Sequence, residues 1–191
     1  MKTWNTPAWR AGDWRGWLDD HGSLTRRLQA ICPHLRVRRL SQHIAPPLRD
    51  EYLALGLRRG ERALIRDVLL ICGDTPLVYA HSVIPLPGLY GPWVALSRLG
   101  NRPLGAALFA NPKVRRFPLE YRQLDARHPL YRPAVAHLEV ADLAVANLAE
   151  APRRLWMRRS QFALAGHPLL VTEVFLPAIS QYPAPDSRIL R

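Results

Sequence analysis

The chain has 191 residues, of which 48% are hydrophobic and 22% charged, and its formal net charge is +12. This length suits one domain with a substantial core, so a single domain over residues 1–191 is predicted. No stretch approaches the roughly 20 apolar residues of a membrane-spanning helix, and the first 17 residues lack the apolar centre of a signal peptide, which favours a cytoplasmic location.

The basic character comes almost entirely from arginine. Arginine accounts for 25 of the 27 basic residues, and many of them occur as neighbouring pairs spread along the chain. A sequence pI near 10.9 is one property of nucleic-acid-binding proteins, but no binding motif accompanies the charge, so no nucleic-acid partner is expected. A positive surface also attracts small anionic substrates, and it predicts a transient association with anionic membrane surfaces.

The two cysteines, Cys32 and Cys72, show neither a redox-motif spacing nor a zinc-ligand spacing. Both lie among apolar residues, so they are predicted to be small buried hydrophobic side chains. In a reducing cytoplasm a disulfide between them is not expected.

Short elements separated by prolines are predicted along the first half of the chain. Ser23 is typical of a helix N-cap, and Leu24, Leu28 and Ile31 follow it at helical spacing. A hairpin is predicted where two apolar runs meet at the turn residues 73–76. The predicted elements are one or two helices in 13–31, a strand in 34–45, a loop or short helix in 48–59, and hairpin strands at 62–72 and 77–84.

A second hairpin is predicted near the end, with the turn residues 165–168 between its strands. Residues 125–152 have no clear pattern apart from an Ala/Leu/Val-rich segment. The remaining predicted elements are a loop up to Pro92, helices at 93–99 and after 103–105, strands at 114–124, 157–164 and 169–176, and a tail from 177. Because hairpins dominate, the predicted fold class is α+β, with helices packed on an antiparallel sheet.

Three ionisable residues each occupy a strand face that is otherwise apolar. Alternate residues of a strand share a face, and Arg66, His81 and Glu173 each share theirs with apolar neighbours. Two structural explanations are open: an ion pair of Arg66 with Glu173 or Asp67, or an edge-strand arginine that reaches water. The functional alternative is a pocket in which an arginine holds a carboxylate and a glutamate handles a proton or a hydroxyl.

Three segments, in their order and spacing, resemble the chorismate lyase family of ubiquinone biosynthesis. They are Ile65–Leu70, Pro103–Gly105 followed by Leu108 and Phe109, and Pro168–Pro177; the stretch Gly22–Leu28 also resembles an early helix of the family. The resemblance covers about residues 13–177. It implies a cofactor-independent carbon–oxygen lyase that converts chorismate to 4-hydroxybenzoate and pyruvate, the first committed step towards ubiquinone.

The resemblance also implies a site: an enclosed cavity under helical flaps, beside an antiparallel sheet flanked by helices. In this family an arginine and two backbone amides bind the ring carboxylate, and these positions match Arg66, Leu24 and Leu104. Glu173 matches the glutamate that contacts the hydroxyl end of the ring. Arg66 and Glu173 are therefore the predicted catalytic residues, and no metal or cofactor site is implied.

The chain departs from the family pattern at two places. His81 stands where some members have a second active-site arginine, and it is predicted to contact substrate, with Arg158 or Arg159 as alternative sources of positive charge. Residues 125–150 form a longer segment than the compact members have.

The chemistry leaves two routes open: the ring hydrogen passes directly to the enolpyruvyl methylene, or a base removes it. Glu173 is either that base or a hydrogen-bond partner that orients the ring. An enclosed site implies tight product binding and slow release, and a monomer is expected. The alternative function is non-catalytic binding of a small aromatic acid, because effector-binding domains of some bacterial transcription regulators have the same general fold.

Overall fold

The computed structural model describes Trp4, residues 8–138 and residues 151–184, and a single seven-stranded antiparallel sheet organises them. The strands are β1 Leu35–Ala45, β2 Ala63–Cys72, β3 Thr75–Pro85, β4 Arg115–Arg116, β5 Glu120–Leu124, β6 Leu155–Leu164 and β7 His167–Phe175. Their order across the sheet is β1-β2-β3-β7-β6-β4, and β5 pairs with another part of β6.

Short helices pack on this sheet. They are α1 Arg15–Leu18, α2 Leu24–Ile31, α3 Arg49–Ala54, α4 Leu86–Leu89, α5 Leu104–Ala110 and α6 Tyr131–Val135, together with 3-10 helices at Ala8–Trp14, Val94–Arg98 and Pro177–Gln181. Ser23 caps α2 as its side chain predicts, because its hydroxyl accepts a hydrogen bond from the amide of Arg26 at 3.4 Å. In the described part of the chain, no helix combines the length and the apolar character needed to span a bilayer.

The α+β class and both hairpins are confirmed: β2 pairs with β3, and β6 pairs with β7. The predicted strand at 114–124 is interrupted between β4 and β5, where Pro118 has no amide hydrogen to continue the ladder. The predicted helix at 93–99 is a 3-10 helix, and the predicted loop before Pro92 contains α4. Of the Ala/Leu/Val-rich segment, residues 139–150 lie outside the described residues.

Each face of the sheet carries two apolar clusters with polar residues between them. On one face, the first cluster includes Trp17, Leu28 and Phe175, and the second includes Trp93 and Leu169. On the other face, Met157 and Ile65 belong to two further clusters. The buried polar side chains of the sheet therefore lie at the middle of each face, between its two apolar clusters.

The two cysteines are joined by a disulfide, so the prediction of two unbonded side chains was wrong. Strand register explains the pairing. Leu35, at the start of β1, lies opposite Cys72 at the end of β2, and Cys32 closely precedes Leu35 in the chain. The Cα atoms of Cys32 and Cys72 are 6.0 Å apart, which is within the usual range for a disulfide. The bond ties the residue that ends α2 to the sheet.

Candidate functional site

A cavity opens on one face of the sheet, between the two apolar clusters of that face. The empty space between its walls, counted together with its open mouth, is about 580 Å³. Its floor is formed by strands, and the beginnings of α2 and α5 contribute to its wall. The polar side chains that line it are Ser23, Thr25, Arg66, Ser82, Arg116, Arg158, Ser160 and Glu173.

Strand register shapes the floor of this cavity. Ser82 on β3 lies opposite Arg66 on β2, and the neighbouring floor residue Ala80 lies opposite Glu173 on β7. Since β2 and β7 are two strands apart, their backbones are separated by about 9–10 Å. The side chains of Ala80 and Ser82 are small, so they leave an open space between the arginine and the glutamate.

Arg66 is held from one side and free on another. Its Nη2 donates hydrogen bonds to the carbonyl oxygens of Gly100 and Arg102, both at 3.0 Å. Its Nε is buried without a hydrogen-bond partner among the described residues, and the residue is only 2% exposed. Burial lowers the pKa of Arg66, as does the nearby Arg39. A buried guanidinium with an unsatisfied N–H is costly, and because Arg66 lines the cavity, an anion bound there would offset part of this cost.

These contacts decide between the structural explanations for Arg66. It makes no ion pair with Glu173, whose carboxylate is held by Arg158, or with Asp67, whose carboxylate is held by His81 and Ser41. It also lies on the interior strand β2, so the explanation of an edge-strand arginine reaching water fails. The arrangement that remains is a cation and a carboxylate that face the same cavity without neutralising each other.

Glu173 forms a buried ion pair at the cavity wall. Its Oε2 accepts a hydrogen bond from Nε of Arg158 at 2.5 Å. Arg158 lies opposite Glu173 in the β6–β7 register and is 1% exposed. Glu173 also lines the cavity, so its carboxylate can accept a hydrogen bond from a ligand bound there.

A third arginine, Arg116 on β4, adds to the positive charge of the cavity. Its Nε and Nη2 donate to Oγ of Ser160, at 3.1 and 2.7 Å. Its guanidinium carbon lies 5.4 Å from the ring centres of both Phe109 and Phe162. Burial lowers the pKa of Arg116, and the neighbouring Arg158 lowers it further. Three guanidiniums thus face one carboxylate among the lining residues, which suits a ligand with two negative charges.

The beginnings of two helices meet at the cavity wall. Leu24 begins α2 and Leu104 begins α5, and both residues line the cavity. The first amides of a helix have no partner within the helix, so they are available to an anion. A Cβ atom added at Gly105 would lie 3.1 Å from Oγ of Ser23, which shows how closely the backbone of Gly105 approaches the side chain of Ser23.

His81 does not line the cavity, which corrects the prediction that it contacts substrate. Its neighbours Ala80 and Ser82 point into the cavity, so strand alternation directs His81 to the opposite face of the sheet. There its Nδ1 lies 2.7 Å from Oδ1 of Asp67. Its Nε2 lies 3.1 Å from Oε1 of Glu51 without hydrogen-bonding geometry.

Arg159 lies on the same opposite face as His81. It pairs with Glu120 at 2.7 Å and with Asp50 at 3.4 Å, and its guanidinium carbon lies 4.0 Å from the ring centre of Trp4. Of the two adjacent arginines, Arg158 is therefore the one that supplies charge to the cavity. The residue pattern of β6 predicts that one arginine faces each side, but it does not tell which. Arg116 gave no sequence signal, because β4 has only two residues.

His81 makes the stability of the fold depend on pH. Burial lowers its pKa, but the hydrogen bond to Asp67 and the charges of Asp67 and Glu51 outweigh this and raise it to about 9, from an ordinary 6.5. Protonated His81 therefore stabilises the fold below about pH 6.5, and this contribution is lost as the pH rises towards 9. The expected loss is at most about 3 kcal/mol of unfolding free energy.

Urea unfolding at steps between pH 6.5 and 9 measures this effect. The variant His81→Gln is expected to flatten the decline in unfolding free energy, whereas His34→Gln, at an exposed position, is expected to follow the wild type. An equal decline in wild type and His81→Gln would show that another group is responsible.

The fold places the protein in a structural class that includes ligand-binding domains of transcription regulators. The ligand-binding domain of a putative GntR-family regulator from Bordetella bronchiseptica aligns with a TM-score of 0.52 and 20% identity, over 75% of this chain and 85% of that one. The effector domain of PhnF from Mycobacterium smegmatis aligns with a TM-score of 0.53 and 12% identity, over 82% and 90%. At such identities the likeness concerns the fold alone.

Sequence comparison assigns the family. The chain belongs to the chorismate lyase family, whose profile matches residues 9–182. A probable chorismate pyruvate-lyase of Thiobacillus denitrificans is 51% identical over 165 residues, which is 86% of this chain and 83% of that protein. One of Nitrosomonas eutropha is 46% identical over 167 residues, 87% of this chain and 88% of that protein. The resemblance drawn from the sequence motifs is thereby confirmed.

Proposed function

We propose that this protein is a chorismate pyruvate-lyase, which converts chorismate to 4-hydroxybenzoate and pyruvate, within a single domain. The observation that carries the proposal is the placement of Arg66 and Glu173 on either side of a floor of small residues. Chorismate has a carboxylate at one end of its ring and a hydroxyl at the other, with a second carboxylate on the enolpyruvyl group. The cavity has a cation, a carboxylate and excess positive charge to receive them.

Arg66 anchors the ring carboxylate in this proposal. Its unpartnered Nε donates one hydrogen bond, and the backbone amides of Leu24 and Leu104 complete the carboxylate site. The hydrogen bonds from Nη2 to two backbone carbonyls restrict the guanidinium, so little orientational freedom is lost when the anion binds.

Glu173 acts at the hydroxyl end of the ring. The reaction breaks the bond between the ring and the ether oxygen, and the hydrogen leaves the ring carbon that bears the hydroxyl. The electrons of that C–H bond enter the ring, which becomes aromatic, and the enolpyruvyl group leaves and becomes pyruvate by gaining a proton. Glu173 orients the hydroxyl or removes the proton, and Arg158 beside it holds its carboxylate in place.

The reaction supplies its own driving force through aromatisation, so it requires no cofactor. Delivery of the product to ubiquinone synthesis, slow product release, a cytoplasmic location, a monomeric state and transient contact with anionic membranes all stay predictions. The net charge of +12 supports the last of these.

A turnover assay tests the proposed function. Purified protein is incubated with chorismate in a metal-chelating buffer, 4-hydroxybenzoate is measured by chromatography, and pyruvate is measured with a coupled assay. Equal amounts of both products above the spontaneous background would support the lyase. Absence of turnover, combined with binding of 4-hydroxybenzoate, would instead support a non-catalytic protein that binds small aromatic acids.

The variant Glu173→Gln is expected to lower kcat about 100-fold, because glutamine keeps the shape of the side chain but cannot take up a proton. The Michaelis constant is expected to change little. Glu120→Gln is the matched control, since Glu120 also pairs with an arginine of β6 but lies outside the cavity lining. Normal turnover in Glu173→Gln would exclude base catalysis by this residue and leave direct hydrogen transfer.

A further inference from the structure

Arg158 connects two separate parts of the molecule. Its Nε donates to Glu173, at the wall of the cavity. Its Nη1 donates to the backbone carbonyls of Trp17 at 2.9 Å and Asp20 at 2.8 Å, with a longer bond to Leu18 at 3.5 Å. These carbonyls belong to the end of α1 and to the turn that follows it, about 140 residues away in the chain.

The same segment is held by a second arginine. Nη1 of Arg116 donates to the carbonyl oxygens of His21 at 2.6 Å and Gly22 at 3.3 Å. Two arginines on paired strands therefore bind most of the carbonyl groups in residues 17–22. The residues that follow, Ser23–Thr25, form part of the cavity wall. The position of this wall consequently depends on cations that lie inside the cavity.

The contacts of Arg158 need a forked donor. One guanidinium nitrogen binds a carboxylate while another binds two or three carbonyls, and a lysine ammonium cannot reach all of these acceptors from one point. The ion pair alone does not explain this arrangement, because Arg159 forms comparable ion pairs on the opposite face without binding a backbone carbonyl of any described residue.

We infer that Arg158 is a positioning residue for the reaction. Its guanidinium fixes the position of the Glu173 carboxylate. The same guanidinium holds residues 17–20 in place, so that the amide of Leu24 reaches the substrate carboxylate. The inference deepens the proposed function and rests on it. One side chain therefore positions the groups that bind both ends of the substrate. A substitution of Arg158 is expected to disturb the binding of both ends together.

Kinetics of four variants test this inference. Arg158→Lys keeps a charge near Glu173 but loses the fork, so the Michaelis constant is expected to rise about 10-fold while kcat is largely kept. Arg158→Gln loses both functions, so kcat is expected to fall about 100-fold as well. Arg159→Lys and Arg159→Gln are the matched controls and are expected to keep wild-type kinetics.

Hydrogen exchange of residues 17–25 provides a measurement that does not depend on turnover. Faster exchange there in both Arg158 variants, with the rest of the sheet protected as in the wild type, is the expected result. Unchanged exchange in a folded Arg158→Gln, or equal kinetic losses in the Arg159 variants, would overturn the inference. Failure of the proposed function differs from failure of this inference, because the wild type itself would then not convert chorismate. Hydrogen exchange and 4-hydroxybenzoate affinity would still test the role of Arg158 in that case.

Discussion

Replacing Arg66 by alanine is expected to raise the Michaelis constant for chorismate about 100-fold, because a charge-assisted hydrogen bond in a buried site contributes about 3 kcal/mol. Arg66 lines the cavity, so its guanidinium is the donor that we expect to meet the substrate carboxylate. The turnover number is expected to fall less, since the carboxylate is bound in both the ground state and the transition state. Steady-state kinetics with a continuous pyruvate assay measures both parameters.

Arg66 also holds two backbone carbonyls, so a loss of folding has to be separated from a loss of binding. Arg66→Lys keeps the charge and most of the volume but loses the planar fork, and it is expected to show an intermediate Michaelis constant. Arg62→Ala, at an exposed position just before β2, serves as the control. If a folded Arg66→Ala protein kept the wild-type Michaelis constant, the assignment of the carboxylate anchor would be wrong.

Local chemistry made much of the fold predictable. Both hairpins have turn residues between strongly apolar runs, and Ser23 at the start of α2 is a residue type that caps helices well. The strand interrupted at Pro118 was not predicted, although proline carries a clear local signal. The 3-10 helix at Val94–Arg98 was predicted only as a helix, because its apolar pattern does not distinguish the two types.

The site residues were predictable only where the residue pattern of a single strand was sufficient to identify them. Alternation within one strand singled out Arg66, His81 and Glu173, but it does not relate the faces of different strands. That relation depends on register, and a shift of one residue exchanges the faces. The observed register pairs His81 with Asp67 rather than with Arg66, so His81 falls on the side away from the cavity.

Dependence on strand register also explains why the sequence did not distinguish the role of Arg158 from that of Arg159. Arg158 and Arg159 are adjacent and of one type, so only the pairing of β6 with β7 shows that Arg158 shares a face with Glu173. The disulfide was missed on other grounds. Cys32 and Cys72 are 40 residues apart, and only the pairing of β1 with β2 brings them together.

Reduction of the Cys32–Cys72 disulfide is expected to lower the free energy of unfolding by about 4 kcal/mol, which is the chain-entropy value for a link of this length. The bond spans 40 residues, so it removes many extended conformations from the unfolded chain. It also fixes the end of α2, the helix whose first residues, Ser23–Thr25, line the cavity. A smaller decrease in 4-hydroxybenzoate affinity is therefore expected alongside the loss of stability.

Urea unfolding of the oxidised and reduced protein measures the loss, and calorimetric titration with 4-hydroxybenzoate measures the change in affinity. A variant with both Cys32→Ala and Cys72→Ala is the control: it is expected to resemble the reduced protein and not to respond to reductant. Equal unfolding midpoints of the oxidised and reduced wild type would contradict the prediction. In a reducing cytoplasm the two thiols would be the working form, so the stability of the reduced protein is the value that decides whether the fold persists there.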